Sequence, residues 1–524
     1  MAARVAGGRL FMSELGRRKT MNLKTISFAS KVRYRSKKVV IMRTKAVRVA
    51  AFLVSAAVSA IAQLPTSTPS SARAESQAPA ITVTQTPALE NFNGSGTFDK
   101  PVPGVLPLSL LDALDRGLKH NLGLLLSQQQ TEQARAQYRR QLSLLLPNIS
   151  GNVSDSVNQI NLAAFGIPLP AGLTSPVIGP FGVFDAHANM SETVLDFNAL
   201  NRIHAAAENR KTARFTVLDA RELVVLVVGN EYLLTLASAA RLDTAKAQLT
   251  TAQTIFDQTT DLKRAGVAAG IDVLRAQVQL QTQQQRVLAA ENQYERQKMV
   301  LARTIGLPGS QQFQLTDTVP YAQLPPLDLD QALAQAYKQR PEYLAAQSRT
   351  RAAEITVKAA RGEALPTVEI NGQSGYLGPA PGSSEFTYNL TAGLHIPIFQ
   401  GGKVKADVDQ AEAQLRQSRM QLEDLHSRVE FEVRAALLDV RTSDDQVKVA
   451  QQQIELAAEQ LKEARDRYAA GVSGSLEVVQ AQEAVASAND NRIQALYQNN
   501  VAKLALVRAL GEAEQRTRSF LGGK

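Results

Sequence analysis

The 524-residue sequence predicts a mainly α chain with a smaller β part, built from one unit used twice. Three observations carry this. Segments at 108–121 and 261–277 recur at 327–340 and 466–482; two stretches of more than sixty residues, 201–262 and 403–468, contain no proline; and each is preceded by short segments in which apolar and polar residues alternate.

Composition narrows the function classes. Aromatics are 5 % and tryptophan is absent, which suits long helices better than a β-rich enzyme. The net charge of +10 misleads. Residues 1–50 hold 14 Lys/Arg against Glu14 alone, so they carry +13 and the rest of the chain −3. This removes the case for a nucleic-acid partner of the folded part. The absence of cysteine excludes disulfides, thiolate metal sites, cysteine nucleophiles and lipidation at a processed N-terminal cysteine.

The first segment reads as targeting. Arg43, Lys45 and Arg48 precede the apolar run Val49–Val58, and Ala60-Ile61-Ala62 is a small-x-small cleavage site. The run is too short to span a bilayer comfortably. Residues 1–62 are therefore expected to be an N-terminal extension and signal peptide, with Met42 where such a signal ordinarily begins. Residues 63–107, rich in Pro, Ser, Thr and Gln, are expected to be an extended lead-in that buries little.

The first repeat is expected over 108–307 and the second over 327–512, joined by a Pro-punctuated linker at 308–326 and followed by a tail at 513–524. Pro147 and Pro366 correspond at an offset of 219, Gly266 and Gly471 at 205. Each copy opens with a predicted helix (109–145; 328–364) that a proline ends. Two strands follow, at about 148–158 and 183–195, then 367–377 and 385–398. A long helix, a turn at about 263–271 or 468–476 and a return helix to Gly306 or Gly511 complete the unit.

In the strand from Phe386, residues Phe386, Tyr388, Leu390, Ala392, Leu394 and Ile396 alternate with Thr387, Asn389, Thr391, Gly393 and His395. Phe184, Ala186, Ala188 and Met190 alternate likewise with Asp185, His187, Asn189 and Ser191, which points His187 and His395 to the polar side. Such segments fit a membrane β-barrel and equally a soluble antiparallel sheet with one wet face. Four strands cannot close a barrel, so the membrane reading requires several chains to share one. Helices of some 65 residues make rods of about 100 Å that need coiled-coil neighbours. Val433, Leu437, Val440, Val447, Ile454 and Leu461 supply the seam. A plain coiled-coil rod explains these helices but not the strands before them.

The stretch HIPIFQGGKVKADVDQAEAQ at 395–414 resembles the TolC-like outer-membrane efflux family (outer membrane factors), as do SETVLDFNALNRIHAA at 191–206, the Tyr468-x-x-Gly471 turn and the Leu-Pro endings before each first strand. The likeness covers about 108–512. It implies a homotrimer in the outer-membrane lipid, a 12-stranded β-barrel continuous with a 12-helix periplasmic α-barrel. It further implies that the lead-in, linker and tail wrap the middle as a belt, and that 161–182 and 378–384 join the strands outside the cell. The implied function is the passive exit duct of an efflux or type I secretion system, opened by a periplasmic membrane-fusion adaptor and an inner-membrane pump of RND or ABC type.

The resemblance places the entrance at the two turns, around Gly266 and Gly471. Asp272 sits at an acidic position that helps hold the tip shut, and Glu477 and Gln480 at positions that often form acidic rings. Ser473 replaces a basic gate residue, and Tyr468 keeps an aromatic hydrogen-bond donor. Arg264 and Arg467 near the tips fit either contact with an adaptor or the commoner role of solvated surface arginines. First-turn acids also simply favour the helix dipole, and the glycines end helices. Catalysis finds no support: His120, His187, His204, His395 and His426 lack metal-ligand spacing, and there is no nucleophile elbow or phosphate loop. The expectation is no enzyme activity, no cofactor and no metal. The competing readings are a periplasmic coiled-coil adaptor or scaffold without a pore, and a secreted enzyme with a helical appendage.

Overall fold

The computed structural model describes residues 92–166, 175–319, 321–325 and 327–520, all within one compact unit, Thr82–Lys524. The expected signal at 1–62, lead-in residues 63–91, the middle of the 161–182 loop and the end of the tail lie outside the described residues.

After a short strand β1 (Leu106–Leu108), Ser109 caps helix α1 (Leu110–His120) in a reciprocal box with Asp112. The expected single helix over 109–145 is in fact two. Asn121 adopts an extended backbone (φ −61°, ψ 129°), ends α1, and turns its side-chain oxygen to the amides of Gly123 and Leu124 to start α2 (Leu122–Leu142). An asparagine cap competes well with helix continuation at such a point. The second repeat makes the same break by other means. Pro341 holds Arg340 extended, so the expected helix over 328–364 becomes α5 (Leu329–Gln339) and α6 (Pro341–Gly362).

The long helices are α3 (Phe197–Arg264, 68 residues) and α7 (Lys403–Ala469, 67 residues), each about 100 Å by its rise per residue. Each folds back, into α4 (Gly270–Thr304) and α8 (Ser475–Ala509). Toward the turns, α3 packs against α4 and α8, and α8 against α7; toward the strands, α2 and α6 flank α3, and α6 reaches α7. By length and composition α3 contains a window apolar enough to cross a membrane, but 56 % of that window is buried inside the chain.

A belt of short elements covers the middle of the long helices. β1 pairs in parallel with β4 (Phe313–Leu315), and Leu108 and Phe313 pack on Val224, Val228 and Tyr232 of α3. The lead-in thus buries more than its composition suggested, because Phe92 docks into this cluster and Leu106 packs against it. α1 crosses α3 so closely at Gly117 that a Cβ there would lie 2.6 Å from Val228 Cγ2. In the second repeat, α5 packs on Val429 and Val433 of α7 and on Leu506 and Leu510. The tail forms α9 (Ala513–Phe520), whose first amides donate to the buried Glu222 carboxylate. Burial pushes the Glu222 carboxyl up, against those two hydrogen bonds.

The linker is pinned by two charges. Lys503 of α8, 1 % exposed, donates to the Ala322 carbonyl and lies 5.5 Å from the Tyr321 ring centre. Asp444 accepts from Tyr321 (2.9 Å), Gln323 (3.2 Å) and Lys448 (2.9 Å). Burial holds Lys503 down to about 8, with Asp444 pulling the other way. Below pH 8 the folded chain therefore carries a cost on the order of 3 kcal/mol for keeping this ammonium buried. Between pH 8 and 10.5 an unfolded chain holds a proton that the folded chain has released, so stability from this group rises with pH. Melting of the wild type relative to Lys503→Met in detergent is expected to shift upward from pH 7.5 to 10. A constant difference would refute the assignment.

The remaining strands, β2 (Asn148–Asn161), β3 (Val177–Leu195), β5 (Thr367–Gly378) and β6 (Glu385–His395), form one antiparallel sheet in the order β2-β3-β5-β6. β6 stops at His395, short of the expected 398, because Pro397 cannot donate to a ladder. The register sorts every row onto one of two faces. One carries Ile149–Met190–Gly372–Leu390 and Val153–Ala186–Tyr376–Phe386. The other carries Ser150–Asn189–Gln373–Asn389 and Asn152–His187–Gly375–Thr387. Gly375 is obligatory, since a Cβ would meet the Ala186 carbonyl oxygen at 2.0 Å. The apolar face is bare within one chain: Ile149, Val153, Val157, Tyr388 and Leu390 are 72–78 % exposed.

Candidate functional site

Two parts of the fold gather the polar residues singled out from the sequence, the helical tips and the polar face of the sheet. Both tips close by the same backbone device. Gly266 and Gly471 take φ of +75° and +71°. The Gly266 and Val267 amides bond back to Lys263 and Leu262, and those of Gly471 and Val472 to Tyr468 and Arg467. This double bond pattern requires a left-handed residue, which glycine adopts without strain.

Asp272 lies in the first turn of α4 and Glu477 in that of α8. The structure brings the two hairpins together there. Ser475 Oγ donates to Asp272 Oδ1 at 2.6 Å, and Arg275 stands 3.6 Å from the same oxygen. Glu477 is 3.7 Å from Arg467 across its own hairpin. Both carboxylates thus have a nearby guanidinium. Tyr468 packs in a cluster of Ile255, Ala464, Val478 and Ala481, and its hydroxyl makes a long, 3.5 Å contact to Thr259 Oγ1 of α3. Ser473 is half-buried in the second turn, its hydroxyl making no hydrogen bond. Gln480 is exposed on α8 and Arg264 pairs locally with Asp261 at 2.9 Å.

Several residues that join the hairpins were not singled out from the sequence. Glu483 of α8 accepts from Arg286 (2.9 Å) and Gln279 (2.8 Å) of α4. Burial raises this carboxyl, but the Arg286 and Gln279 hydrogen bonds outweigh it and hold it below the usual carboxylate range. Ser475 and Thr259 complete the link. Their signal is only the alignment of the two repeats, which sets Ser475 beside the first turn that holds Asp272.

The polar face of the sheet is a wall of amides and hydroxyls. β2 contributes Asn148, Ser150, Asn152, Ser154, Ser156 and Asn158. His187 is buried on this face beside Asp185, and His395 stands exposed at the end of β6. Among the described residues no group of three or more His, Cys, Asp or Glu is placed to hold a metal ion. Such amides and hydroxyls make weak, exchangeable hydrogen bonds with water and polar solutes.

Comparisons with known proteins agree with this geometry. The chain is similar to outer membrane protein OprJ of Pseudomonas aeruginosa, 26 % identical over 92 % of this chain and 98 % of that one. It is similar to the pyoverdine export outer membrane protein OpmQ of Pseudomonas putida, 25 % identical over 61 % of this chain and 68 % of that one. Its fold matches the solved CmeC outer membrane channel of Campylobacter jejuni with a TM-score of 0.67, at 19 % identity over 81 % and 92 % of the two chains. The open MtrE outer membrane channel of Neisseria gonorrhoeae matches with 0.66, at 19 % identity over 84 % and 98 %. The profile of the outer membrane efflux protein family matches residues 113–307 and 332–512, so both repeats are covered. The chain belongs to the TolC-like outer membrane efflux protein family, whose members are outer-membrane channels and not enzymes.

Proposed function

We propose that three copies of this chain close a shared barrel and tunnel that serves as the passive exit duct of a multi-component efflux or secretion system. The observation that carries this is the sheet. Among the described residues its outer strands, β2 and β6, have no partner on one side, and nothing covers its apolar face. In lipid an open edge leaves backbone groups unpaired, so the edges must meet other copies. Three chains of four strands give twelve, above the roughly eight-strand minimum for an outer-membrane barrel.

The helices support the same assembly. Ile271, Leu274 and Val278 make an exposed stripe on α4, continued by Val267 in the turn before it, and Phe431, Leu438, Val449 and Leu456 make another on α7. Within one chain α4 and α7 are the outer helices of the packed set near the turns, so each stripe faces a neighbour. The tips, with Asp272, Tyr468, Ser473, Glu477 and Gln480, form the periplasmic entrance. An adaptor and an inner-membrane pump would open it by separating the Asp272–Ser475 and Tyr468–Thr259 contacts. The reading is tested by planar-bilayer recording of protein purified from outer membranes. Channels whose conductance rises in Asp272→Ala are expected; a water-soluble monomer without conductance supports the adaptor or scaffold reading instead.

A further inference from the structure

Within the proposed duct, we infer that the barrel itself selects for cations, through carboxylates on the inward face of the sheet, and that the helical tips are not the main charge filter. The inference rests on the trimeric-duct reading.

Residues 148–195 and 367–395, which hold all four strands and both connecting loops, contain no lysine or arginine. They contain five acids. Asp155 and Glu192 fall on the apolar face by register, opposite Phe184 and Ile370. Asp185, Glu369 and Glu385 fall on the polar face. Asp185 and Glu385 share one row, Ser154–Asp185–Leu377–Glu385, near the loop end. Glu369 lies in the row Thr193–Glu369–Gly393, at the end that joins the helices. Eight residues separate Glu369 from Leu377, or about 25 Å of strand. Between these rows the wall has no Asp, Glu, Lys or Arg, and His187 is its one titratable side chain. Three copies would set an acidic ring at each end of a neutral amide-and-hydroxyl sleeve.

The tips differ in a way that matters for selectivity. Asp272 and Glu477 each stand within 4 Å of a guanidinium, from Arg275 and Arg467. Their fields are largely cancelled at the distance of a passing ion. No lysine or arginine lies in the strands or loops that hold the inward carboxylates; the bases near them are His187, beside Asp185, and His395, one row from Glu369, which leaves Glu385 and Glu369 without a guanidinium or ammonium, and the surrounding lipid is a low-dielectric wall that focuses their field along the bore. Opening the tips therefore removes a steric barrier but leaves the cation preference in place. Cationic and neutral polar cargo pass more readily than anionic cargo.

The test is the reversal potential of single channels in a KCl gradient. The wild type is expected to prefer potassium. In Asp185→Asn/Glu369→Gln/Glu385→Gln the permeability ratio is expected to fall by about threefold or more. The single variants Glu369→Gln and Glu385→Gln serve if the triple variant does not assemble, each with a smaller fall in the same direction. An inward base, Thr391→Lys, is expected to lower the ratio as well, and Asp155→Asn on the lipid face to leave it unchanged. An unchanged ratio in the barrel variants, or complete loss of preference in Asp272→Asn/Glu477→Gln, overturns the inference while leaving the duct intact. Absence of any wild-type channel overturns the duct itself.

Discussion

Leu390→Arg is expected to abolish the outer-membrane assembly, whereas Thr391→Arg, one residue along the same strand, leaves it standing. Leu390 sits mid-strand in β6 on the apolar face, 73 % exposed in one chain, in the row with Ile149 and Met190. In the proposed barrel that face meets hydrocarbon. A guanidinium near the bilayer midplane costs about 2–4 kcal/mol per copy, and three copies carry it at once. Thr391 belongs to the row Asn148–Ser191–Asn371–Thr391, where a charge remains in water. Heat-modifiable migration of the outer-membrane fraction separates the two outcomes. Equal tolerance of both variants is what a soluble sheet with two wet faces would give.

Tyr232→Ala is expected to release the belt. Tyr232 is fully buried in α3, packed with Leu108, Leu236 and Val507. Its hydroxyl, with one proton, lies 2.8 Å from Asp317 Oδ2, to which it donates, and 3.1 Å from the Leu108 carbonyl oxygen, a second acceptor that can share that proton. Asp317 also accepts from the Leu110 amide, so one carboxylate ties the linker to the start of α1 and to α3. Burial and the Asp317 carboxylate both raise the Tyr232 hydroxyl well above its ordinary pKa, so it acts only as a donor. Removing the ring costs about 3–5 kcal/mol by cavity formation, and Tyr232→Phe about 1–2 kcal/mol through the lost hydrogen bonds. Limited proteolysis within 308–326 reads the effect. Faster cleavage in the order wild type, Phe, Ala is expected, and equal rates would show that the tyrosine does not hold the linker.

Much of this architecture was legible in the sequence, for identifiable reasons. Proline-free stretches and period-two alternation are long-range signals, and they located the long helices and the strands. The left-handed glycines at 266 and 471 mark chain reversals that any residue with a Cβ would resist. What escaped was local competition. Asn121 breaks a helix through a side-chain cap that looks like any other helical polar residue, and Pro341 starts a new helix inside an apolar pattern that continues across it. In the polar lead-in, Leu106 pairs with Phe313 more than 200 residues away and Phe92 docks beside Asn121 and Gly123, contacts that composition cannot reveal. At the tips, the acids Asp272 and Glu477 were visible, but the Ser475 link and the compensating Arg275 depend on how two hairpins face each other.

The central claim is that β2 of one copy pairs with β6 of the next until three copies close. The chain has no cysteine, so introduced pairs are read against a clean background. The direct measurement is oxidative cross-linking in intact outer membranes of double-cysteine variants, one cysteine scanned along 148–161 and the other along 385–395. At the correct register, monomer, dimer and trimer bands that end at the trimer are predicted. No cross-link at any register, or a ladder continuing past three copies, would contradict the closed trimeric barrel.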